Sequence, residues 1–255
     1  FGLADLESVM AEKMRLDKYL TETGIFPSRS VAQEAIAAGK VSVNGKTVTR
    51  ASEKVSGEDT IEAERLHTYV SRAALKLKGA FEIFDLKAEG KPCLDVGCST
   101  GGFTEVLLEA GAAHVTSVDV GRDQFHVSLR QHASVTLLEQ TDARNLTREN
   151  LKQPPEIIVC DASFIGLEKV LQPALDLAAE EADLIALFKP QFQVGRKNIG
   201  KGGIVTDQES VDTAKTAFID WLEAQGWAVK DWAPSPITGS DGNQEWLCWA
   251  RRKPV

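Results

Sequence analysis

Leu94-Asp95-Val96-Gly97-Cys98-Ser99-Thr100-Gly101-Gly102-Phe103 identifies the fold more clearly than any other part of the chain. Pro92 to Val96 is a short apolar run of strand length, and Phe103 to Ala110 has apolar residues at helical spacing. Between them, three glycines allow a ligand to approach the backbone closely. The spacing is Gly-x-x-x-Gly-Gly, which differs from the Gly-x-Gly-x-x-Gly of dinucleotide enzymes, and no Gly-Lys-Ser/Thr comes after it to make a P-loop.

Beyond this loop, strand and helix patterns alternate. Val115–Asp119, Val135–Leu138, Glu156–Asp161 and Leu184–Phe188 read as strands. Leu167–Leu177 and Val211–Gln225 read as helices, the second ended by Gly226. Trp227–Trp232 and Trp246–Ala250 read as a final strand pair. The expected fold class is α/β: a parallel sheet with helices on both faces and an antiparallel last strand. Ligands on such sheets bind beyond the carboxyl ends of the strands. Asp119 ends the second strand, where it can accept hydrogen bonds from a ribose, and Asp142 comes after the third, where it can hold an adenine amine.

The segment before this sheet has another character. Arg15-Leu16-Asp17-Lys18-Tyr19-Leu20 has helical spacing, and Ser28 can cap a second helix ended by Gly39. Valines then alternate on both sides of Asn44-Gly45, the strongest short hairpin signal. Thr60–Glu62 is a further short strand. Between residues 13 and 54, eight basic side chains face four acidic ones, a local excess of four positive charges in a chain of net charge −8. Such a patch suits phosphate contacts.

This segment resembles the S4 RNA-binding domain through RLDKYL, SRSVAQEAIAAGKVSVNGK and the later strand. The order of DVGCSTGGF, Asp119 and Asp142 resembles class I S-adenosylmethionine-dependent methyltransferases. That resemblance implies S-adenosylmethionine as cofactor, held by Asp95, Gly97, Ser99, Thr100, Gly101, Gly102, Phe103, Asp119, Asp142 and Asp161. Asp95 has a second reading, orienting the loop without touching the cofactor.

The loop after the fourth strand narrows the choice of methylated atom. Asp161-Ala162-Ser163-Phe164 lacks the two prolines of the loop that clamps a base amine, and no Pro-Cys nucleophile for carbon methylation is present. Lys76, Asp161, Lys189 and Glu245 resemble the Lys-Asp-Lys-Glu tetrad of FtsJ-type ribose 2′-O-methyltransferases. With the S4 segment in front, the chain from residue 13 onward resembles the TlyA family, whose members often carry the name hemolysin. The resemblance implies 2′-O-methylation of cytidines in ribosomal RNA.

A ribose hydroxyl is a weak nucleophile at neutral pH, so its proton must leave as the oxygen attacks. An amine flanked by a second cation loses its own proton more readily and can serve as the base. Lys189 is the expected base, positioned by Asp161. Lys76 then favours the developing oxyanion and Glu245 orients Lys76 or the hydroxyl.

The domain expectation is an extension over 1–12, an S4 domain over 13–62, a linker over 63–70 and a methyltransferase domain over 71–255. The expected RNA contacts are Arg15, Lys18, Arg29, Lys40, Lys46, Arg72 and the Gly-rich basic loop with Arg196, Lys197 and Lys201. The expected partners are ribosomal RNA and ribosomal subunits, and the protein is expected to be monomeric.

Composition sets outer limits. Four cysteines form no Cys-x-x-Cys pair and four histidines are scattered, so no metal site is expected. No apolar run reaches the ~20 residues needed to span a bilayer, and Glu7 and Glu12 interrupt any signal-peptide pattern. A cytoplasmic protein is expected. Two competing readings share these features: a non-catalytic RNA-binding or ribosome-assembly factor, and a cytolytic protein of hemolysin type.

Overall fold

The computed structural model describes residues 13–66 and 68–253. The expected extension, residues 1–12, lies outside them. The chain divides into two compact units that meet at Arg72 and Ala73.

In the first unit, β1 (Met14–Arg15) leads into α1 (Leu16–Glu22), and α2 (Arg29–Ala37) comes next. Ser28 caps α2 as its spacing implies, its Oγ accepting from the Val31 N–H at 3.4 Å. Asn44 and Gly45 take positive φ of 51° and 75°, the turn that joins β2 (Val41–Val43) to β3 (Lys46–Thr47). β4 (Lys54–Val55) pairs with β1, and β5 (Ile61–Ala63) pairs with β2. Leu16, Leu20, Phe26, Val31, Ile36, Val41 and Val55 form one buried core. The expected linker is tied to this unit. The Glu64 N–H donates to the Lys40 carbonyl, Arg65 donates to the Ile25 carbonyl, and the Val70 carbonyl accepts from Ser28.

The second unit opens with α3 (Ala73–Ile83) and builds a seven-stranded sheet. Its strands are β6 (Pro92–Val96), β7 (His114–Val118), β8 (Val135–Leu138), β9 (Ile157–Cys160), β10 (Asp183–Phe188), β11 (Trp227–Pro234) and β12 (Trp246–Arg252). The order across the sheet is β11-β12-β10-β9-β6-β7-β8. β12 runs antiparallel to both neighbours, and the other pairings are parallel. β9 and β10 are buried at every residue, as central strands covered on both faces must be. The longer helices are α4 (Gly102–Glu109), α6 (Leu167–Asp176) and α8 (Gln208–Ala224), with short α5 (Val127–Arg130) and α7 (Pro190–Gln193) between them. Phe188, Phe218, Leu222 and Trp227 anchor one core under α8.

Candidate active site

The chain winds from β6 to β7 and β8 on one side, then returns to place β9 on the other side of β6. A crevice must therefore open beyond the carboxyl ends of β6 and β9, where neighbouring connections diverge. The glycine loop leaves β6 at this point. Gly97 has φ of +80°, and a Cβ there would stand 3.0 Å from the Ala162 Cα of the loop after β9. Only glycine lets the two loops come this close. Gly101, with φ of +97°, is similarly closed off, since a Cβ would meet Leu129 Cδ1 at 2.5 Å.

A cavity of about 480 Å3 lies in the crevice, within the range of small-molecule sites. Of the residues assigned to the cofactor from sequence, Gly97, Ser99, Asp119, Asp142 and Asp161 line it. Asp95, Thr100, Gly101, Gly102 and Phe103 do not. Asp95 and Phe103 are buried beneath the loop, and Gly101 and Gly102 start α4. Sequence reasoning missed Gln124, Arg144, Phe164 and Ile165, which also line the cavity. Phe164 is 90% exposed and adopts a positive φ of 65°, an uncommon conformation for a bulky residue. Its ring lies 5.2 Å from that of Phe192. The signal for it was its place three residues after Asp161, where base-methylating enzymes carry an aromatic residue.

Asp119 already serves the loop. Its two carboxylate oxygens accept from the Ser99 and Gly121 N–H groups at 2.8 and 2.7 Å, and each keeps a lone pair. Asp142 is held by Arg144 at 2.5 Å, and that guanidinium keeps its carboxyl below the usual range. Asp95 is fully buried, with Oδ2 accepting from Thr104 Oγ1 at 2.7 Å and Oδ1 without a hydrogen-bond partner. Burial pushes its carboxyl up to about 7, with Asp161 and Asp119 adding to the rise and Thr104 opposing it. The four thiols are free and buried. Burial raises Cys93 and Cys160 to about 12 and Cys98 and Cys248 further still, so none is poised as a nucleophile.

Two ion pairs with buried lysines adjoin the crevice through Asp161, which lines it. Lys76 on α3 has Nζ 2.5 Å from Glu245 Oε2, just before β12. Lys189, after β10, has Nζ 2.6 Å from Asp161 Oδ1. It also donates to Ser163 Oγ at 2.8 Å and to the Asp161 carbonyl at 3.2 Å. Lys76, Lys189 and Glu245 are each less than a tenth exposed. Burial holds the Glu245 carboxyl above its usual range, against the opposing pull of Lys76 and Lys189, while Asp161 adds to the rise. The structure therefore brings Lys76, Asp161, Lys189 and Glu245 into one interacting group. Buried ion pairs contribute little net stability, so their presence at a ligand crevice points to chemistry.

The basic residues expected to meet RNA are placed differently from one another. Lys46, Arg196, Lys197 and Lys201 are exposed. Lys18 pairs with Glu22, Lys40 with Glu64 and Arg72 with Glu34. Arg15 and Arg29 both turn onto Asp17. Among the described residues, no group of His, Cys, Asp and Glu side chains could hold a metal ion, and no helix is long and apolar enough to cross a membrane.

A glycine loop after the first sheet strand, acids after the second and third, and an antiparallel last strand define a class I methyltransferase fold. Family comparison agrees. The FtsJ-like methyltransferase family matches residues 69–252 and the S4 domain matches residues 14–61. The 16S/23S rRNA (cytidine-2′-O)-methyltransferase TlyA of Mycobacterium tuberculosis is 41% identical over 95% of this chain and 91% of its own. Hemolysin A of Brachyspira hyodysenteriae is 38% identical over 92% of this chain and 98% of its own. A solved Streptococcus thermophilus structure carrying the hemolysin label superposes with a TM-score of 0.77 at 33% identity, covering 94% of this chain and 89% of that one. The chain belongs to the TlyA family of FtsJ-like methyltransferases with an amino-terminal S4 domain.

Proposed function

We propose that this protein methylates a ribose 2′-hydroxyl in ribosomal RNA, on cytidine, using S-adenosylmethionine, with the S4 unit contacting the RNA. The observation that carries this reading is the pairing of Lys189 with Asp161 and of Lys76 with Glu245 beside the crevice. The relatives' names support the ribosomal substrate. Such a substrate places the protein in the cytoplasm.

The crevice fits the cofactor. The cavity is large enough, Gly97 lines it, and Asp119 keeps acceptor capacity for a ribose diol. Asp142 and Gln124 would offer further polar contacts, and Ile165 an apolar wall. S-adenosylmethionine, when bound, supplies an electrophilic methyl group. Lys189, in its neutral amine form, takes the proton of the attacking hydroxyl and becomes the ammonium that Asp161 and Ser163 hold in the structure. Lys76 faces the negative charge that develops on the ribose oxygen, and Glu245 fixes its direction. Phe164, exposed at the rim, is placed to stack on the base of the target nucleotide. Lys46, Arg196, Lys197 and Lys201 contact RNA phosphates.

The test is transfer of label from S-adenosylmethionine to isolated ribosomal subunits, with digestion to nucleosides afterwards. Label in 2′-O-methylcytidine supports the reading. Label confined to a base, or none despite measured cofactor binding, overturns it.

A further inference from the structure

Asp17 stands out in the first unit. It is fully buried in an RNA-binding module, where a carboxylate facing a polyanion would repel it. Its oxygens are saturated with donors. Oδ1 accepts from Arg15 Nε at 2.9 Å and from the Lys18 N–H at 3.0 Å. Oδ2 accepts from Arg15 Nη2 at 3.0 Å, Arg29 Nη2 at 2.9 Å and Gln33 Nε2 at 2.6 Å. Burial by itself would raise this carboxyl, but the bonds from Arg15, Gln33 and Arg29 outweigh it and hold the group well below the usual range.

This arrangement bears on the two arginines. Both donate to the same oxygen, so their Nη2 atoms lie within about 6 Å of each other. Two cations at that separation repel, and without an intervening anion they would part. Arg15 and Arg29 remain 41% and 54% exposed. Arg15 Nη1 and Arg29 Nε and Nη1 donate to nothing else among the described residues. The result is a pair of guanidiniums fixed on their inner edges and open on their outer ones, the geometry that favours forked bonds to phosphate oxygens.

We infer that Asp17 is a positioning residue for RNA binding, holding Arg15 and Arg29 as one paired clamp for backbone phosphates. The inference rests on the reading that the S4 unit contacts RNA.

The test measures binding of the full chain to purified ribosomal RNA across a salt series, with wild type, Arg15→Gln, Arg29→Gln and Asp17→Asn. Asp17→Asn removes a negative charge, so charge counting alone predicts tighter binding and an unchanged or steeper salt slope. The positioning role predicts the opposite: about tenfold weaker binding and a slope shallower by roughly one. It also predicts a raised KM for RNA with kcat retained at saturating RNA. Wild-type or tighter binding by a folded Asp17→Asn protein, with both arginine variants weakened, overturns the inference alone. Unchanged binding by both arginine variants overturns the RNA-contact reading of this face. If Asp17→Asn does not fold, Arg29→Lys decides. It keeps the charge on an exposed side chain but loses the fork, so weakened binding supports the clamp and wild-type binding refutes it.

Discussion

Among single residues, Lys189 and Lys76 are both buried lysines paired with carboxylates, but the tasks proposed for them differ. Lys189→Ala removes the proposed base and is expected to lower kcat by about 10²–10⁴ with cofactor affinity retained. Glu245→Gln leaves Lys76 without its anionic anchor and is expected to lower kcat while RNA binding stays intact. Steady-state kinetics on one ribosomal substrate separates these effects. Asp95 makes a prediction about stability. Its carboxyl is raised from 3.8 to about 7 in the fold, so the folded state holds a proton that the unfolded chain releases. This contribution favours folding fully below about pH 4 and is lost as pH rises through 7. Unfolding free energy should decline across that window, by a few kcal/mol at most, and Asp95→Asn should flatten the decline. All five tryptophans lie in the second unit, so denaturant unfolding monitored by tryptophan fluorescence at pH 5 and pH 8 measures it. An equal decline in the variant would show that Asp95 does not carry the pH dependence. The tetrad was legible in the sequence because its members sit at strand ends or on the helix before the sheet. The capture of Arg15 and Arg29 by Asp17 was not, because three charges at positions 15, 17 and 29 count as net positive until the helices fold them together.

Among the elements, the sheet was readable from short apolar runs alternating with helical spacing, and its last two strands from Trp227–Trp232 and Trp246–Ala250. The differences lie where a period has too few residues to show. β1 and β4 are two residues each and α5 and α7 four each. The helix expected from Val211 begins at Gln208, after Asp207 at its amino-terminal boundary. The expected Gly-rich basic loop contains 3-10 turns at Arg196–Asn198 and Lys201–Gly203. Asn243 secures its far end. Nδ2 donates to the Gly203 carbonyl and Oδ1 accepts from the Val205 N–H, each at 2.9 Å, and Asn243 itself is 3% exposed. Asn243→Ala should leave these groups unpaired at a local cost of about 1–3 kcal/mol. Trypsin should then cut after Arg196, Lys197 or Lys201 faster than in wild type. Equal cutting rates would show that Asn243 does not restrain the loop. At Gly97, substitution by Ala strains the positive φ and presses on Ala162, so cofactor binding should weaken several-fold or more.

For the molecule as a whole, the net charge of −8 conceals a basic amino-terminal segment. If the S4 unit supplies RNA affinity, binding should weaken steeply between 50 and 200 mM salt, with a linear log–log slope. Affinity that ignores salt would remove the phosphate-contact reading for the whole chain. The proposed function turns on a narrower point, that Lys189 and its partners carry methyl transfer to a ribose oxygen. Single-turnover transfer from labelled S-adenosylmethionine to isolated ribosomal subunits, with wild type and Lys189→Ala at equal cofactor occupancy, tests that point without interference from binding or product release. Label is expected on a ribose 2′-oxygen with wild type, and the rate with the variant is expected to be lower by at least about 10². Equal rates from the two proteins, or label on a base nitrogen or carbon, would contradict it.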